Sequence, residues 1–255
     1  MRYIARKLKL LSIVRITIAL LLVFSSPLLA CEKTITINAS KNWLPYSYEV
    51  NDVFKGLDIE VLELVLEKAN LCWRYISLPS TSRAFAELKK GNIDLVFAAS
   101  YSEDRANWGY FTQPYRTESS VLYTHVNNNS AMALSYSTSV AVNRGGFYGS
   151  EFADYRSKCE NCVIEVSLAS QRFYLLKNRR VDFVIEDSLA GQYVAANIEF
   201  SNQIKATEHV VHNNMVHYLV AKDSFSEDKL AQINQVITQS KAEINAIMDK
   251  YQHNL

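Results

Sequence analysis

The regular alternation of extended and helical segments constrains this chain more than any other feature. "KTITINAS" (33–40) alternates and is rich in β-formers, so it reads as a strand. "LDIEVLELVLEKAN" (57–70) places Ile59, Leu62, Val65, Leu66 and Ala69 at helical spacing. "LCWRYISLP" (71–79) is a second strand. "TSRAFAELKKGN" (81–92) is a helix, with Thr81 or Ser82 as its cap and Gly91 as its stop. "IDLVFAA" (93–99) is a third strand. Strand, helix, strand, helix, strand predicts a parallel sheet covered by helices. The aromatic stretch between the first strand and the first helix, 42–56, reads as a loop around Pro45.

The pattern then restarts. "SVAVNRGG" (139–146), "CVIEVS" (162–167) and "VDFVIED" (181–187) read as strands. "FYGSEFADYRSK" (147–158), "SQRFYLLKNRR" (170–180) and "SLAGQYVAANI" (188–198) read as helices. Extended segments around 119–126 and 215–222 connect the two units, with "NNNS" (127–130) the most linker-like stretch. A chain that leaves the first unit, builds the second and returns makes a two-hinge, two-lobed clam able to close on a ligand. The tail 229–252 reads as one amphipathic helix.

The first thirty residues stand apart. Five basic residues (Arg2, Arg6, Lys7, Lys9, Arg15) precede the apolar run "ITIALLLVF", and "SSPLLA" ends in Ala30. This is the three-part pattern of a secretory signal peptide, and the run is too short for an ordinary membrane span. Without residues 1–30 the chain has 22 basic against 26 acidic residues, a net charge of −4. That balance excludes a nucleic-acid footprint. An exported protein tends to pair its cysteines. Cys159 and Cys162 suit a local bridge, and Cys31 and Cys72 can bridge if they begin neighbouring strands. "LLAC" also resembles a bacterial lipobox, so lipidation of Cys31 is the alternative. A zinc or thioredoxin-like role for "CENC" lacks the second pair or the context it needs. His209, His212 and His217 fit no strong metal spacing, and we expect neither metal nor cofactor.

"AASYSEDR" (98–105) sits where the third strand hands over to a helix. Ser102 is suited to cap that helix, with Glu103 and Asp104 in its first turn. Capping leaves Arg105 and Ser100 without a task, at the edge of an open α/β sheet where ligands bind. Asp58 and Glu60 read in the same way as acids at a helix N-terminus.

Gly56, Leu57, Asp58, Ile59, Glu60 and Val61 resemble the signature of the bacterial periplasmic solute-binding proteins for polar amino acids, with Leu66 a departure where a smaller residue is usual. "WLPYSY", "GNIDLVFAASYSEDR" with "GYFTQPY", "VAVNRGG", "NRRVDFVIED" and "INAIMDKY" resemble further segments of that family, in order, along the whole chain after the leader. The resemblance implies a two-lobed, type II periplasmic-binding fold: a signal peptide at 1–30, lobe 1 at 31–124, lobe 2 at 125–216, and a return to lobe 1 at 217–255. It implies that Arg105 clamps an α-carboxylate, helped by the Ser100 hydroxyl. It further implies that the Ala98 carbonyl and Asp187 receive an α-ammonium, with Glu186 competing for that role, and that Trp43 stacks on the ligand side chain. Ser40 stands where members that bind basic amino acids carry an acid, which argues against such a ligand. Gly146 stands where a hydroxyl residue is usual, and the N–H groups of Gly146 and Phe147 would then open a helix and hold the anion.

The implied protein is a monomeric periplasmic binder that hands its ligand to an ABC permease and has no membrane span once the leader is removed. Two alternatives keep the same scaffold. One is an enzyme resembling periplasmic cyclohexadienyl dehydratases, with Glu186 or another lobe-two carboxylate as general acid. The other is a ligand sensor, which in a chain stopping at Leu255 would act through a separate partner.

Overall fold

Strands that are buried on both faces form the backbone of the molecule. The computed structural model describes residues 34–128, 133–197, 199–200 and 202–252. The leader 1–30, its cleavage site and the lipidation or pairing of Cys31, including the Cys31–Cys72 bridge, lie outside these residues. In chain order the first unit is β1 (Thr34–Asn38), β2 (Asn42–Trp43), β3 (Ser47–Val50), β4 (Val53–Lys55), α1 (Leu57–Lys68), β5 (Cys72–Ile76), α2 (Thr81–Lys89), β6 (Leu95–Ser100), α3 (Glu103–Trp108) and β7 (Gly109–Phe111). A long strand β8 (Arg116–His125) leads into β9 (Val140–Val142), α4 (Gly149–Lys158), β10 (Val163–Glu165), α5 (Ala169–Lys177), β11 (Phe183–Asp187) and α6 (Ser188–Ala196). The chain returns along β12 (Ile204–Ala221) and ends in α7 (Glu227–Gln239) and α8 (Lys241–Gln252).

The sheet order is β10-β9-β11-β8-β12-β6-β1-β5, with β7 also paired to β12. In lobe 1, β1 is parallel to both β5 and β6; in lobe 2, β9 is parallel to both β10 and β11. The antiparallel pair β8 and β12 crosses between them, β8 joining β11 and β12 joining β6. Two parallel half-sheets are thus stitched into one by a two-stranded ribbon. A ribbon is the one part of such a sheet that can bend without breaking either half. "FVIED" of β11 is buried at every position, as expected for a strand covered on both faces.

Ile59, Leu62, Val65 and Leu66 of α1 are at most 1% exposed and face Ile35, Ile37 and Leu95 of the sheet. Each such side chain contributes roughly 1.5–3 kcal/mol relative to exposure. Gly56 starts α1 at φ 126°, and a Cβ there would lie 2.4 Å from the Tyr46 carbonyl oxygen, so the signature glycine admits a turn no side chain could fit. In lobe 2, Phe173, Leu176 and Val184 anchor a separate core.

Several expectations are corrected in detail. The stretch 42–56 is a three-stranded meander, β2-β3-β4, rather than a loop. The cap of α2 is Ser80, whose Oγ accepts from the Arg83 N–H at 3.1 Å, one residue before Thr81 and two before Ser82. The tail is two helices, divided at the buried Ser240, which takes a hydrogen bond from Lys68 Nζ at 3.2 Å. The second crossing strand begins at Ile204, well before the expected 215. Ser102 caps α3 as expected, accepting from the Arg105 N–H at 3.4 Å. Cys159 and Cys162 form their bridge across a short 3₁₀ turn.

Candidate functional site

The carboxyl ends of β6 and β11 and the crossing ribbon surround one cleft. Its lining includes Trp43, Ala98, Ser100, Arg105, Gly146, Phe147 and Asp187, every residue singled out for a ligand. It also includes Glu118, Tyr148 and Arg172, which the sequence reading did not pick.

Two cations line this cleft, Arg172, which is paired with Glu186, and Arg105. Arg105 Nη1 donates to the Ser100 carbonyl at 2.8 Å and its Nη2 to the Gly145 carbonyl at 3.2 Å, so it touches both lobes. The guanidinium lies 4.0 Å from the centre of the Phe85 ring, a cation–π distance. Among the described residues it has no ion-pair partner. Burial without a facing carboxylate pushes its pKa down to about 10, and it stays charged at neutral pH. A partly buried guanidinium satisfied only by carbonyl oxygens is prepared for an anion.

Around it β6 is irregular. Ala98 has φ +53°, a left-handed conformation unusual for a residue with a side chain. The register with β12 shifts between His217 and Leu219, opposite this point, and the Ala98 N–H turns to the Tyr115 hydroxyl at 3.0 Å. Such a bulge re-aims backbone groups next to a site. The Ser100 hydroxyl accepts from Asn214 Nδ2 at 3.0 Å, which leaves its own proton to donate. Tyr101 turns away from the cleft, exposed and tilted against Phe111.

Asp187 is buried and heavily engaged. Its Oδ1 accepts from the N–H groups of Leu189 and Ala190, capping α6, and from the Tyr46 hydroxyl of lobe 1 at 2.7 Å. Glu186 is paired with Arg172, which also donates to the carbonyls of Val166 and Ser167. Glu186 is therefore tied into lobe 2 by an ion pair. Beneath Tyr46 lies a second buried pair: Arg116 Nε and Nη2 meet the two carboxylate oxygens of Asp58 at 2.7 and 2.8 Å. The same guanidinium stacks 4.0 Å from the Tyr46 ring centre. Asp58 thus holds the start of the crossing strand, a role its place in the first turn of α1 does not announce.

The glycine turn differs from expectation. The Gly146 N–H is spent on the Asn143 carbonyl at 2.9 Å, and α4 starts only at Gly149. Gly146 and Phe147 therefore do not open a helix. The Tyr148 ring fills the space beside Gly146, where a Cβ would lie 2.7 Å from the tyrosine oxygen. Phe147 stays at the cleft edge, its ring 5.5 Å from that of His212. Gly145 has φ +84°, and a Cβ there would lie 2.7 Å from the Ser82 nitrogen at the start of α2. With the Asn143 Nδ2 to Thr81 Oγ1 bond at 3.1 Å, the two lobes meet at this corner. Trp43 lies at the opposite end, its ring 4.6 Å from that of Tyr46.

Among the described residues no cluster of histidine, cysteine and carboxylate side chains has the grouping of a metal site, and no helix is long and apolar enough to cross a membrane. A histidine kinase sensor domain similar to periplasmic binding proteins superposes with a TM-score of 0.76 at 18% identity, covering 86% of this chain and 96% of that one. The arginine-, lysine- and histidine-binding protein of Geobacillus stearothermophilus gives 0.73 at 17%, covering 86% and 95%. A periplasmic binding protein of an arginine transport system from Legionella pneumophila gives 0.70 at 20%, covering 86% and 99%. At these identities the likeness is one of fold. No curated protein matches the chain. The model of the bacterial extracellular solute-binding proteins, family 3, matches residues 35–254, and the chain belongs to that family.

Proposed function

We propose that this protein is a periplasmic solute receptor that closes on one zwitterionic α-amino acid and delivers it to an ABC permease. The observation that carries the reading is Arg105: a charged, partly buried guanidinium in a two-lobed cleft with no carboxylate of its own. A ligand carboxylate supplies the missing partner, and the Ser100 hydroxyl adds a donor beside it. The ammonium lies toward the Ala98 carbonyl and the acids of the β11 end. Closure removes water from these pairs and strengthens them.

The cleft lining also includes the neutral residues Asn38, Ser40, Asn42 and Trp43. The Ser40 hydroxyl accepts from the Asn42 N–H at 3.3 Å. Ser40 stands where relatives that bind basic amino acids carry an acid, which favours a neutral amino acid, stacked on Trp43. The chain acts as a monomer exported by its leader, and lipidation at Cys31 would tether it to a membrane without altering the cleft. The dehydratase reading draws no support from Glu186, which is committed to Arg172. A sensor would use the same cleft and differ only in its partner.

Calorimetry with the twenty amino acids tests this. At least one neutral amino acid should bind, and Arg105→Ala should weaken it by about 30-fold or more, the cost of removing one partner of a desolvated charge pair. Absence of binding by all twenty, together with an Arg105→Ala variant that behaves like wild type, would sink the reading.

A further inference from the structure

Glu118 is the third residue of β8, on the ribbon that joins the lobes, and its side chain lines the cleft. In register it lies opposite Asn214 of β12, the residue that bonds the Ser100 hydroxyl. The side chain is 17% exposed, and its one charged contact is Arg116 Nη1 at 3.5 Å, too long for a strong hydrogen bond. Arg116 has already spent Nε and Nη2 on Asp58.

The acids facing Glu118 are all engaged by the protein, Asp187 through Oδ1 alone. Asp58 of α1 is held by Arg116, Glu186 of β11 by Arg172, and Asp187 of β11 by Tyr46 and the start of α6. Tyr46 also faces this group, its proton held by burial and given to Asp187. His212 of β12 lies two pairs along the ribbon, opposite Ser120, and burial lowers its pKa from the ordinary histidine value. Among the described residues of this group, Glu118 is the carboxyl that makes no hydrogen bond. A largely buried carboxyl with unspent acceptors and only a long contact to Arg116, facing a ligand cleft, has room for a second cationic partner.

We infer that Glu118 is a ligand-binding residue, receiving the ligand's ammonium group from the crossing ribbon beside Asp187, whose Oδ1 caps α6 and bonds Tyr46. This rests on the amino-acid reading of the cleft and names the group that accepts one end of the ligand. Burial and the neighbouring carboxylates push the Glu118 pKa up to about 8, so in the empty cleft it is mostly protonated at neutral pH. An arriving ammonium favours the carboxylate. The Glu118 proton then leaves to solvent, and the ligand enters still carrying its own.

The test is calorimetry with the twenty amino acids on the whole protein between pH 6 and 8, in buffers of different ionisation enthalpy. Wild type should release close to one proton per bound amino acid at pH 7, with affinity rising toward tenfold per pH unit. Glu118→Gln should abolish the release, flatten the profile and bind more than tenfold more weakly at pH 8. Glu118→Asp, which keeps a carboxyl, should retain the release, and circular dichroism confirms that each variant is folded. A folded Glu118→Gln variant with wild-type affinity and proton release overturns this inference alone. If wild type binds none of the twenty, the amino-acid reading falls and takes this one with it.

Discussion

The Tyr46 hydroxyl reaches across the cleft to Asp187 Oδ1 at 2.7 Å, between residues 141 positions apart in the chain. It ends a continuous run of contacts: Asp58 pairs with Arg116, Arg116 stacks on Tyr46, and Tyr46 bonds Asp187. The first helix of lobe 1, the crossing ribbon and a helix cap of lobe 2 are thus coupled. Arg105 reaching the Gly145 carbonyl and Asn143 reaching Thr81 close the far corner in the same way.

Tyr46→Phe removes the bond to Asp187 and keeps the ring under Arg116. Asp187 Oδ1 retains both helix N–H donors, so α6 should survive. The loss of one hydrogen bond, about 0.5–1.5 kcal/mol, should shift the empty protein several-fold toward an open form. Small-angle scattering of the unliganded variant should show a larger radius of gyration than wild type. Identical profiles would mean the bond does not hold the lobes together.

The Asp58–Arg116 pair is more expensive to break. Both side chains are at most 2% exposed, and the two oxygens meet two nitrogens. Arg116→Met leaves the Asp58 carboxylate buried without its partner, a loss of about 3–5 kcal/mol. Asp58→Leu combined with Arg116→Met should cost less than Arg116→Met alone, because no charge is left stranded. Urea denaturation of the two variants decides it; equal losses would show that packing rather than charge sets the cost.

Much of this fold is legible in sequence because its elements carry one period each. The helix 57–68 keeps helical spacing, and the strands at 34–38, 95–100 and 183–187 are buried along most of their length. The first half of β12 is not: "KATEHVVHNN" alternates mostly between half-exposed and exposed positions and its register slips twice, so its sequence shows no apolar face. The break at Ser240 is equally silent, since a serine there reads as one more polar position. The family resemblance singled out Arg105, Ser100 and Asp187, and the structure brings all three to one cleft. Arg116 and Glu118 were not legible in sequence, because a charge within a strand explains itself only through partners far away in the chain. The signal was there: two charges in "YRTESSVLYT" enter an otherwise uncharged stretch.

Gly145→Ala probes the corner where the lobes meet. The backbone at φ +84° disfavours alanine, and the added Cβ would lie 2.7 Å from the Ser82 nitrogen and 2.9 Å from its Cα, both backbone atoms that cannot swing away. The left-handed cost is about 1–2 kcal/mol in stability. The steric block acts only in the closed form, so ligand affinity should fall by more than tenfold. Calorimetry beside thermal unfolding separates the two effects; a variant with lowered stability and unchanged affinity would show that closure does not bring these atoms together.

The raised pKa of Glu118 also predicts how the empty protein responds to pH. Its pKa is near the ordinary carboxylate range when unfolded and about 8 when folded. Between those values the folded state holds a proton that the unfolded chain has lost. Stability contributed by the protonated form is therefore complete at low pH and declines as pH rises, levelling above about pH 8. The slope from one such group is at most about 1.4 kcal/mol per pH unit. Glu118→Gln cannot titrate and should remove that decline, so its advantage over wild type should grow from pH 5 to pH 8. Urea midpoints of both proteins at each pH read the difference directly, and parallel curves would mean that Glu118 ionises in the empty cleft as it does in water.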